Sequence, residues 1–392
     1  MSILLTIFAV VLLIPSLTFS LQCVLSLLPG RRHGERQGNA SRPATTVLIP
    51  AHNEQDCVSG IIEDVTNQLG ENDRVIVIAD NCTDETVAVA SRCGAETIER
   101  HNLEHRGKSY ALRFALEQIA VEPPEVVIVV DADCRISPRA INDLATTAAK
   151  LNRPVQGSYI FGGQKGSAAS NLASSFTLWF KNHIRPLGSL RVGMPCQLTG
   201  SGMAFPWEVI RKVDVANQSL AEDTTLGLQL AYEGHPPIFC PEAKIDGNVP
   251  KSWGTLVQQR RRWEQGYLES IFTNAPKMVL RSVTKLRPSL LWAAFDLCIQ
   301  PLALLGMAWM ALTLVAVFFT GVFGGSIIPL ALLVVGGMAV GASLLAGWYF
   351  HCRHRVPVKA ILALPWFLLR KVGVYLSLLK QREQVWLKTD RD

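Results

Sequence analysis

The sequence predicts an α/β domain held between membrane-crossing segments. Three observations point there. Short β-branched runs alternate with helix-length stretches from about residue 45 to 131, the pattern of βαβ units around a parallel sheet. Polar and acidic residues gather where each of the three main runs ends, so one crevice at the carboxyl edge of the sheet could collect them. The apolar excess, 49% hydrophobic residues and a mean hydropathy of +0.23, sits at the two ends of the chain.

The clearest strand is Glu125 to Val130, where five of six residues are apolar and four are valines, as in a strand buried on both faces. It ends in Asp131-Ala132-Asp133. Two carboxylates one residue apart repel each other unless they share a cation. Hard oxygen ligands of this kind suit Mg²⁺ or Mn²⁺ bridging a diphosphate. The alternative is that one Asp caps the next helix and the other is solvated.

The chain of 392 residues has room for one large domain or two. Its net charge of +6 is concentrated near apolar segments, which favours an anionic membrane surface over nucleic acid as partner. Nine cysteines are scattered with no Cys-x-x-Cys, so neither a zinc site nor a disulfide framework is indicated, and buried thiols in a reducing compartment are expected.

In chain order, residues 3 to 28 are apolar and uncharged, long enough to cross a bilayer, and lack the cleavage pattern of a signal peptide. Arg31, Arg32, His33 and Arg36 follow and place that flank in the cytoplasm. Residues 30 to 43 read as a linker. Thr45 to Ala51 is the first strand, followed by His52-Asn53-Glu54 and a helix from about Gln55 to Leu69. Arg74 to Ala79 is the second strand, ending in Asp80-Asn81-Cys82-Thr83-Asp84. Asp84 either caps the next helix, which runs to about Cys93, or joins a ligand contact. A short strand lies near Thr97, and Arg106-Gly107-Lys108 opens a helix through Glu117.

No Gly-x-Gly-x-x-Gly follows the first strand, and no Gly-x-x-x-x-Gly-Lys-Ser/Thr occurs. This speaks against a dinucleotide oxidoreductase and a P-loop ATPase. An Asp at the second strand end can instead accept hydrogen bonds from a base or ribose.

Residues 154 to 166 read as a strand and Gly-rich turn. Residues 168 to 185 read as a helix whose Phe176, Trp179 and Phe180 are core or membrane-facing. Gly200-Ser201-Gly202 permits close approach of an acceptor or forms a turn. Ala221-Glu222-Asp223 begins a helix, where acidic residues suit the dipole and a carboxylate can also be held as a general base. Gln258-Gln259-Arg260-Arg261-Arg262-Trp263 is either a solvated or lipid-facing basic patch or a diphosphate-binding element with a stacking Trp.

Residues 297 to 319 and roughly 326 to 350 each span a bilayer, and His351, Arg353, His354 and Arg355 return the chain to the cytoplasm. Residues 358 to 379 carry Arg370 and Lys371 mid-segment, at a cost of about 5–7 kcal/mol for a spanning helix. An interfacial helix is expected there, with a third crossing as the alternative. Arg281, Lys285 and Arg287 suggest an amphipathic segment on the inner leaflet. The expected layout is an anchor (1–29), a linker (30–44), a catalytic domain (45–265), an interfacial segment (266–296), two crossings (297–350) and an interfacial helix with tail (351–392).

Together these elements resemble the membrane-integrated family 2 glycosyltransferases, which include the cellulose, chitin-oligosaccharide, hyaluronan and poly-N-acetylglucosamine synthases. Five blocks carry the resemblance, in the family's order. They are Ile49-Pro50-Ala51-His52-Asn53-Glu54, Asp80, Asp131-Ala132-Asp133, Glu222-Asp223 and Gln259-Arg260-Arg261-Arg262-Trp263, the last fitting Gln-x-x-Arg-Trp. The ending Trp386 to Arg391 is similar to the Trp-x-x-Thr-x-Arg tail of some bacterial members.

The resemblance implies a GT-A fold, an inverting transfer and a UDP-sugar donor. It implies that Pro50, Asn53, Glu54, Asp80, Lys108 and Asp131 line the donor site, with Asp80 on the uracil or ribose. It makes Asp133 the ligand of Mg²⁺ or Mn²⁺ and Asp223 the general base. Glu222, Gln259, Arg262 and Trp263 fall to the diphosphate and acceptor. Two features depart from the family: Ala-Glu-Asp stands where many members have Thr-Glu-Asp, and the membrane region is short. The expected function is transfer from a UDP-sugar to a growing polysaccharide or oligosaccharide in cell-envelope or exopolysaccharide synthesis, at the inner membrane with a cytoplasmic catalytic domain. Single transfer to a membrane lipid is the alternative, and a non-enzymatic scaffold or transport subunit a third reading. The expected partners are the donor, a carbohydrate or lipid acceptor and membrane lipids, with an export partner or a second copy where a polymer must cross; nucleic acid is not expected.

Overall fold

The computed structural model describes residues 2–30, 42–161, 169–216, 219–247, 253–299 and 301–380. The chain divides into two compact units. One comprises Gly30–Gly162, Pro195–Gly266 and Gln384–Asp392, the other Met1–Pro29, Gly163–Met194 and Tyr267–Glu383.

The first unit is built on an eight-stranded sheet. Its strands are β1 (Thr45–Ala51), β2 (Arg74–Asp80), β3 (Glu96–Arg100), β4 (Val126–Val129), β5 (Cys134–Ile136), β6 (Val155–Phe161), β7 (Met203–Pro206) and β8 (Ile238–Gly247). Their order across the sheet is β3-β2-β1-β4-β7-β6-β8-β5. The β3-β2-β1-β4 half is parallel throughout. The other half is mixed, because β7 runs antiparallel to both β4 and β6, and β5 antiparallel to β8. The parallel sheet expected from the alternation over residues 45 to 131 is the β3-β2-β1-β4 half; the strands that follow add the mixed half. β7 starts from the Gly200-Ser201-Gly202 turn at the carboxyl end of β4, where Gly202 N–H donates to Val129 O at 2.9 Å, so it can only run back down the sheet.

Burial explains the local choices. Every residue of β4 is buried, and in β1 only Pro50 is partly open. The helix Val58–Thr66 buries Val58, Ile61, Ile62 and Val65, one face at helical spacing. One face of the sheet, with Leu48, Ile76, Ile78, Val127 and Val129, packs on Ala111, Leu112, Ala115 and Ile119 of the helix Lys108–Ile119. Leu226 and Leu230, from the helix Glu222–Tyr232, close the same core. The two helices that begin with Lys108 and with Glu222 thus share one apolar cluster.

The second unit is helical. Ser2–Leu25, Leu302–Phe323 and Ile328–Cys352 are long and apolar enough to cross a membrane. The expected crossing at 297 to 319 is displaced to 302–323. Pro301 lacks an N–H and disfavours helix in the residue before it, so it forms the N-cap of this span, while the preceding helix Pro288–Cys298 ends separately. Residues 358 to 379 form two helices, Val358–Leu362 and Leu364–Lys380. Lys371 Nζ lies 5.5 Å and 5.7 Å from the ring centres of Phe367 and Tyr375, one turn to either side.

Ala169–Trp179 continues through one wide π-turn, Phe180–Ile184, into Arg185–Arg191. Phe176, Trp179 and Phe180 are buried, and Phe180 packs on Phe19 with ring centres 5.7 Å apart, so these aromatics are core. Gly188 lies so close to the first helix that a Cβ there would sit 1.9 Å from Gln22 O. Beside it lies a buried polar network. Arg185 donates to Gln22 Oε1 (3.0 Å) and to Asp296 Oδ1 (2.8 Å), and Gln22 Nε2 donates to Asp296 Oδ1 (2.7 Å).

Candidate active site

The Asp131-Ala132-Asp133 turn lies just past the carboxyl end of β4. Ordered pairing ends at Val129, but Val130 N–H still reaches Leu48 O, which keeps the turn against β1. Asp131 N–H donates to Ser201 Oγ at 3.0 Å, fixing the turn to the Gly200-Ser201-Gly202 corner. That corner needs its glycines: both have positive φ, and a Cβ on Gly202 would lie 2.2 Å from Ile245 Cδ1. Ser201 is fully buried, and its carbonyl accepts from Gln156 Nε2 at 2.8 Å. The sequence left a turn and a ligand approach open for these glycines. They make a packed turn that supports the carboxylates.

Ligand atoms of Asp131, Asp133 and Cys134 all fall within 4.8 Å of one another. Their chemistry divides them. Burial pushes the Cys134 thiol well above its ordinary pKa, and the neighbouring Asp133 and Asp131 charges push it further. It stays protonated, with Ser201 Oγ at 3.4 Å and Tyr159 OH at 3.8 Å. The two carboxylates are hard oxygen donors that fit a divalent cation such as Mg²⁺ or Mn²⁺.

Lys108 stands next to them. Its ammonium pairs with Asp131 Oδ1 and donates to Gly200 O at 2.5 Å. Burial works against the charge on Lys108, but the Asp131 carboxylate, with help from Asp223, outweighs it and raises the pKa. Asp223 enters from the other side, on the first turn of the helix Glu222–Tyr232. A Cβ on Gly200 would lie 3.3 Å from Asp223 Oδ2, so the absent side chain leaves that carboxylate beside the corner. Glu222 accepts from Ser109 N–H at 2.7 Å, joining the first turns of the two helices. The structure therefore brings Lys108, Asp131, Asp133, Glu222 and Asp223 together.

Asp80, at the end of β2, lies at the same carboxyl edge of the sheet as Asp131, on the other side of β1. It accepts hydrogen bonds from Arg100 and Asn81. His52 Nδ1 donates to its carbonyl at 2.6 Å. Pro50 is the penultimate residue of β1. Asn53 is left-handed, with φ 55°, and its Oδ1 accepts from Thr83 N–H at 2.7 Å, so it ties the ends of β1 and β2 together. Glu54 N–H donates to Thr86 Oγ1 at 2.8 Å. Asp84 lies one residue before the N-cap, Glu85, of the helix Thr86–Arg92, and its carboxylate accepts from Thr86 N–H and Oγ1 and from Gln55 N–H.

Gln259, Arg262 and Trp263 belong to the helix Trp253–Thr284; their side chains lie outside the described residues, as does the tail from Trp386 to Arg391. The backbone of this helix still bears on the site. A Cβ on Gly266 would lie 2.7 Å from Ala221 N, so the helix touches the turn that starts Glu222-Asp223.

Sequence reasoning did not single out Arg100 or Ser109. Arg100 becomes visible only through strand register, because parallel pairing sets it directly opposite Asp80. Nothing in the local sequence around Ser109 marks its N–H as the partner of Glu222, 113 positions away.

Comparison with known proteins bears on the family and the fold. A probable glycosyltransferase of Bacillus subtilis, YdaM, is 26% identical over 244 residues, 59% of this chain; the chain spans 57% of that relative's length. The solved mannosyltransferase PcManGT of Pyrobaculum calidifontis, in complex with GDP-Man and Mn²⁺, shares the fold. It superposes with a TM-score of 0.57 at 17% identity, over 92% of this chain and 99% of its own. The Mycobacterium tuberculosis glucosyl-3-phosphoglycerate synthase covers 61% of this chain and 88% of its own at 18% identity, but with a TM-score of 0.40 it is too loosely superposed to speak about the fold. The profile described as glycosyltransferase like family 2 matches residues 43–266, more than half of the chain. The chain therefore belongs to the family 2-like glycosyltransferases.

Proposed function

We propose that this chain transfers a single glycosyl group from a nucleoside-diphospho-sugar to a membrane lipid acceptor, with inversion and with Mn²⁺ or Mg²⁺ as cofactor. The observation that carries this reading is the meeting of Lys108, Asp131 and Asp223 around Gly200. Two carboxylates for a cation, a lysine beside them and a separate carboxylate at a helix start supply what a diphosphate-leaving transfer needs. A cation held by Asp131 and Asp133 supplies positive charge to the departing diphosphate. Lys108 adds a second positive charge there and holds Asp131 in place. Asp223 takes the proton of the acceptor hydroxyl as it attacks from the face opposite the leaving group. One base suffices for inversion, because the diphosphate leaves without protonation.

Asp80 contacts the nucleoside, with Pro50, Asn53 and Glu54 forming the wall beside it. Gln259, Arg262 and Trp263 hold the diphosphate and the acceptor. The three long apolar helices support membrane anchoring, and Arg31, Arg32 and Arg36 after the first support a cytoplasmic catalytic unit. The donor and cation bound in PcManGT support testing GDP-sugars beside UDP-sugars, with Mn²⁺.

Polymer synthesis, the activity of the synthases that the five motif blocks resemble, is the second reading. The small number of long apolar helices among the described residues favours single transfer, because extrusion of a polymer needs a channel wall. The test uses membranes containing the full chain, labelled UDP- and GDP-sugars and Mn²⁺. Label in the organic-extractable lipid, lost in Asp223→Asn, supports the proposal. Label in water-soluble polymer replaces it with the second reading. No Asp223-dependent transfer to either fraction overturns both.

A further inference from the structure

The base of the donor nucleotide can be read from how Asp80 is held. Asp80 ends β2 and is 6% exposed; its register partner Arg100 ends β3 and is 9% exposed. Arg100 Nη1 donates to Asp80 Oδ1 at 2.5 Å, and Asn81 Nδ2 donates to the same oxygen at 3.0 Å. Asp80 Oδ2 has no hydrogen-bond partner among the described residues, and it is not among the sealed side-chain atoms left without one. It opens to solvent as a single acceptor.

The clamp is itself braced. Arg100 Nη2 donates to His105 O at 2.6 Å, and the guanidinium lies 5.9 Å from the centre of the Tyr110 ring. Asn81 N–H donates to Arg100 O at 2.7 Å, and Asn81 Oδ1 accepts from Asn102 N–H at 2.8 Å. Arg100 can therefore neither swing away nor release Oδ1 without undoing the loop that leads to Lys108.

We infer that Arg100 is a specificity-positioning residue that leaves Asp80 one acceptor oxygen, so that the site takes a uridine rather than a guanosine diphospho-sugar. The inference rests on the proposed role of Asp80 against the nucleoside. Uracil offers one ring N–H between two carbonyls, and one carboxylate oxygen satisfies it. Guanine presents its ring N–H and its amino group side by side, and a carboxylate meets both only with two oxygens. With Oδ1 held by Arg100 and Asn81, the guanine amino group finds no acceptor, and a desolvated donor left unpaired is costly.

The test is equilibrium binding of UDP, GDP and inosine diphosphate to the purified full chain in detergent with Mn²⁺. Inosine diphosphate keeps the ring N–H of GDP and lacks the amino group. UDP is expected to bind about tenfold or more tightly than GDP, the effect of one unpaired buried donor. Inosine diphosphate is expected to bind at least as tightly as GDP. GDP binding about tenfold more tightly than inosine diphosphate would show both oxygens in use and overturn the inference, and so would GDP binding as tightly as UDP.

In Arg100→Met, the preference for UDP over GDP should shrink to within roughly threefold. The donor KM should rise about tenfold, with kcat changed less than about threefold. Arg100→Lys, which keeps a cation, should recover part of the preference. An unchanged preference in a folded Arg100→Met overturns the inference. The three-nucleotide comparison on the unaltered chain decides the matter if that variant does not fold. A UDP preference without any sugar transfer would sink the proposed reaction and leave the base assignment standing.

Discussion

Lys108 and Asp131 form an ion pair at the carboxyl edge of the sheet, and the same ammonium donates to Gly200 O at 2.5 Å. The pair joins the first residue of a helix to the turn after β4, 23 positions later, at the point where a cation and a diphosphate would meet. On the proposed reading a cation held by Asp131 and Asp133 would share Asp131 with Lys108, so removal of the lysine charge should have opposite effects on cation and donor.

Lys108→Met should bind Mn²⁺ about tenfold more tightly in the absence of nucleotide, because a like charge beside the cation is gone. The same variant should bind the donor less well, with kcat/KM reduced about 100-fold. Calorimetric titration with Mn²⁺, followed by donor kinetics, checks both. Weaker Mn²⁺ binding would mean that Lys108 chiefly holds Asp131 in shape.

Asp133→Asn should remove the metal dependence of nucleotide binding. Loss of a supporting partner alone costs 10- to 100-fold in metal affinity, so loss of a direct ligand should cost at least about 100-fold. Nucleotide binding measured with and without a chelator reads this out. A chelator effect equal to that of the unaltered chain would remove Asp133 from the metal site.

Asp84 sets a pH dependence of stability. Burial pushes its carboxyl up, but hydrogen bonds from Thr86 and Gln55 more than offset this and leave the pKa below 3.8. The contribution is present in full above the unfolded-state value and is lost as pH falls through the lower folded-state value. Asp84→Asn should therefore lower the Tm at pH 7, and the gap from the unaltered chain should close toward pH 3. A gap that is the same at both pH values would show that the charge of Asp84 does not contribute.

Gly202→Ala combines a backbone at φ +69° with a Cβ 2.2 Å from Ile245 Cδ1 and 2.6 Å from its Cγ1. Left-handed strain of about 1–2 kcal/mol and overpacking of about 1–3 kcal/mol should together cost roughly 3 kcal/mol. Denaturant unfolding measures this. In an Ile245→Ala background, where only the Cβ remains at 3.6 Å, Gly202→Ala should cost the backbone part alone, and a cost as large as in the unaltered chain would place the whole of it in the backbone.

Asp296→Ala should destabilise the helical unit by about 3–5 kcal/mol, because it leaves the buried Arg185 charge uncompensated. Arg185→Met/Asp296→Leu should restore most of that, since a buried pair replaced by apolar side chains is often neutral. Thermal unfolding in detergent compares the three. An equally unstable double variant would show that the pair itself, through its bonds to Gln22, is what stabilises the packing.

The sequence by itself determined the elements that depend on local pattern. The valine run of β4, the helix starts at Lys108 and Glu222, and the long uncharged apolar stretches follow from side-chain period and composition, which act over a few residues. The same locality made Asp131, Asp133 and Asp223 stand out, since each follows a recognisable strand or opens a helix. Only the tertiary structure decided the rest. The reversal of β7 beside β4, the shift of a span to Leu302 behind Pro301, the Glu222 bond to Ser109 N–H and the register of Arg100 opposite Asp80 are set by pairing and packing between segments far apart in the chain. Such contacts leave no periodic trace, because a hydrogen bond between distant residues constrains neither one's neighbours. The partners of Asp84, Gln55 N–H and Thr86, and the packing of the Gly200-Ser201-Gly202 turn on Ile245 were likewise fixed by what folding brought to them.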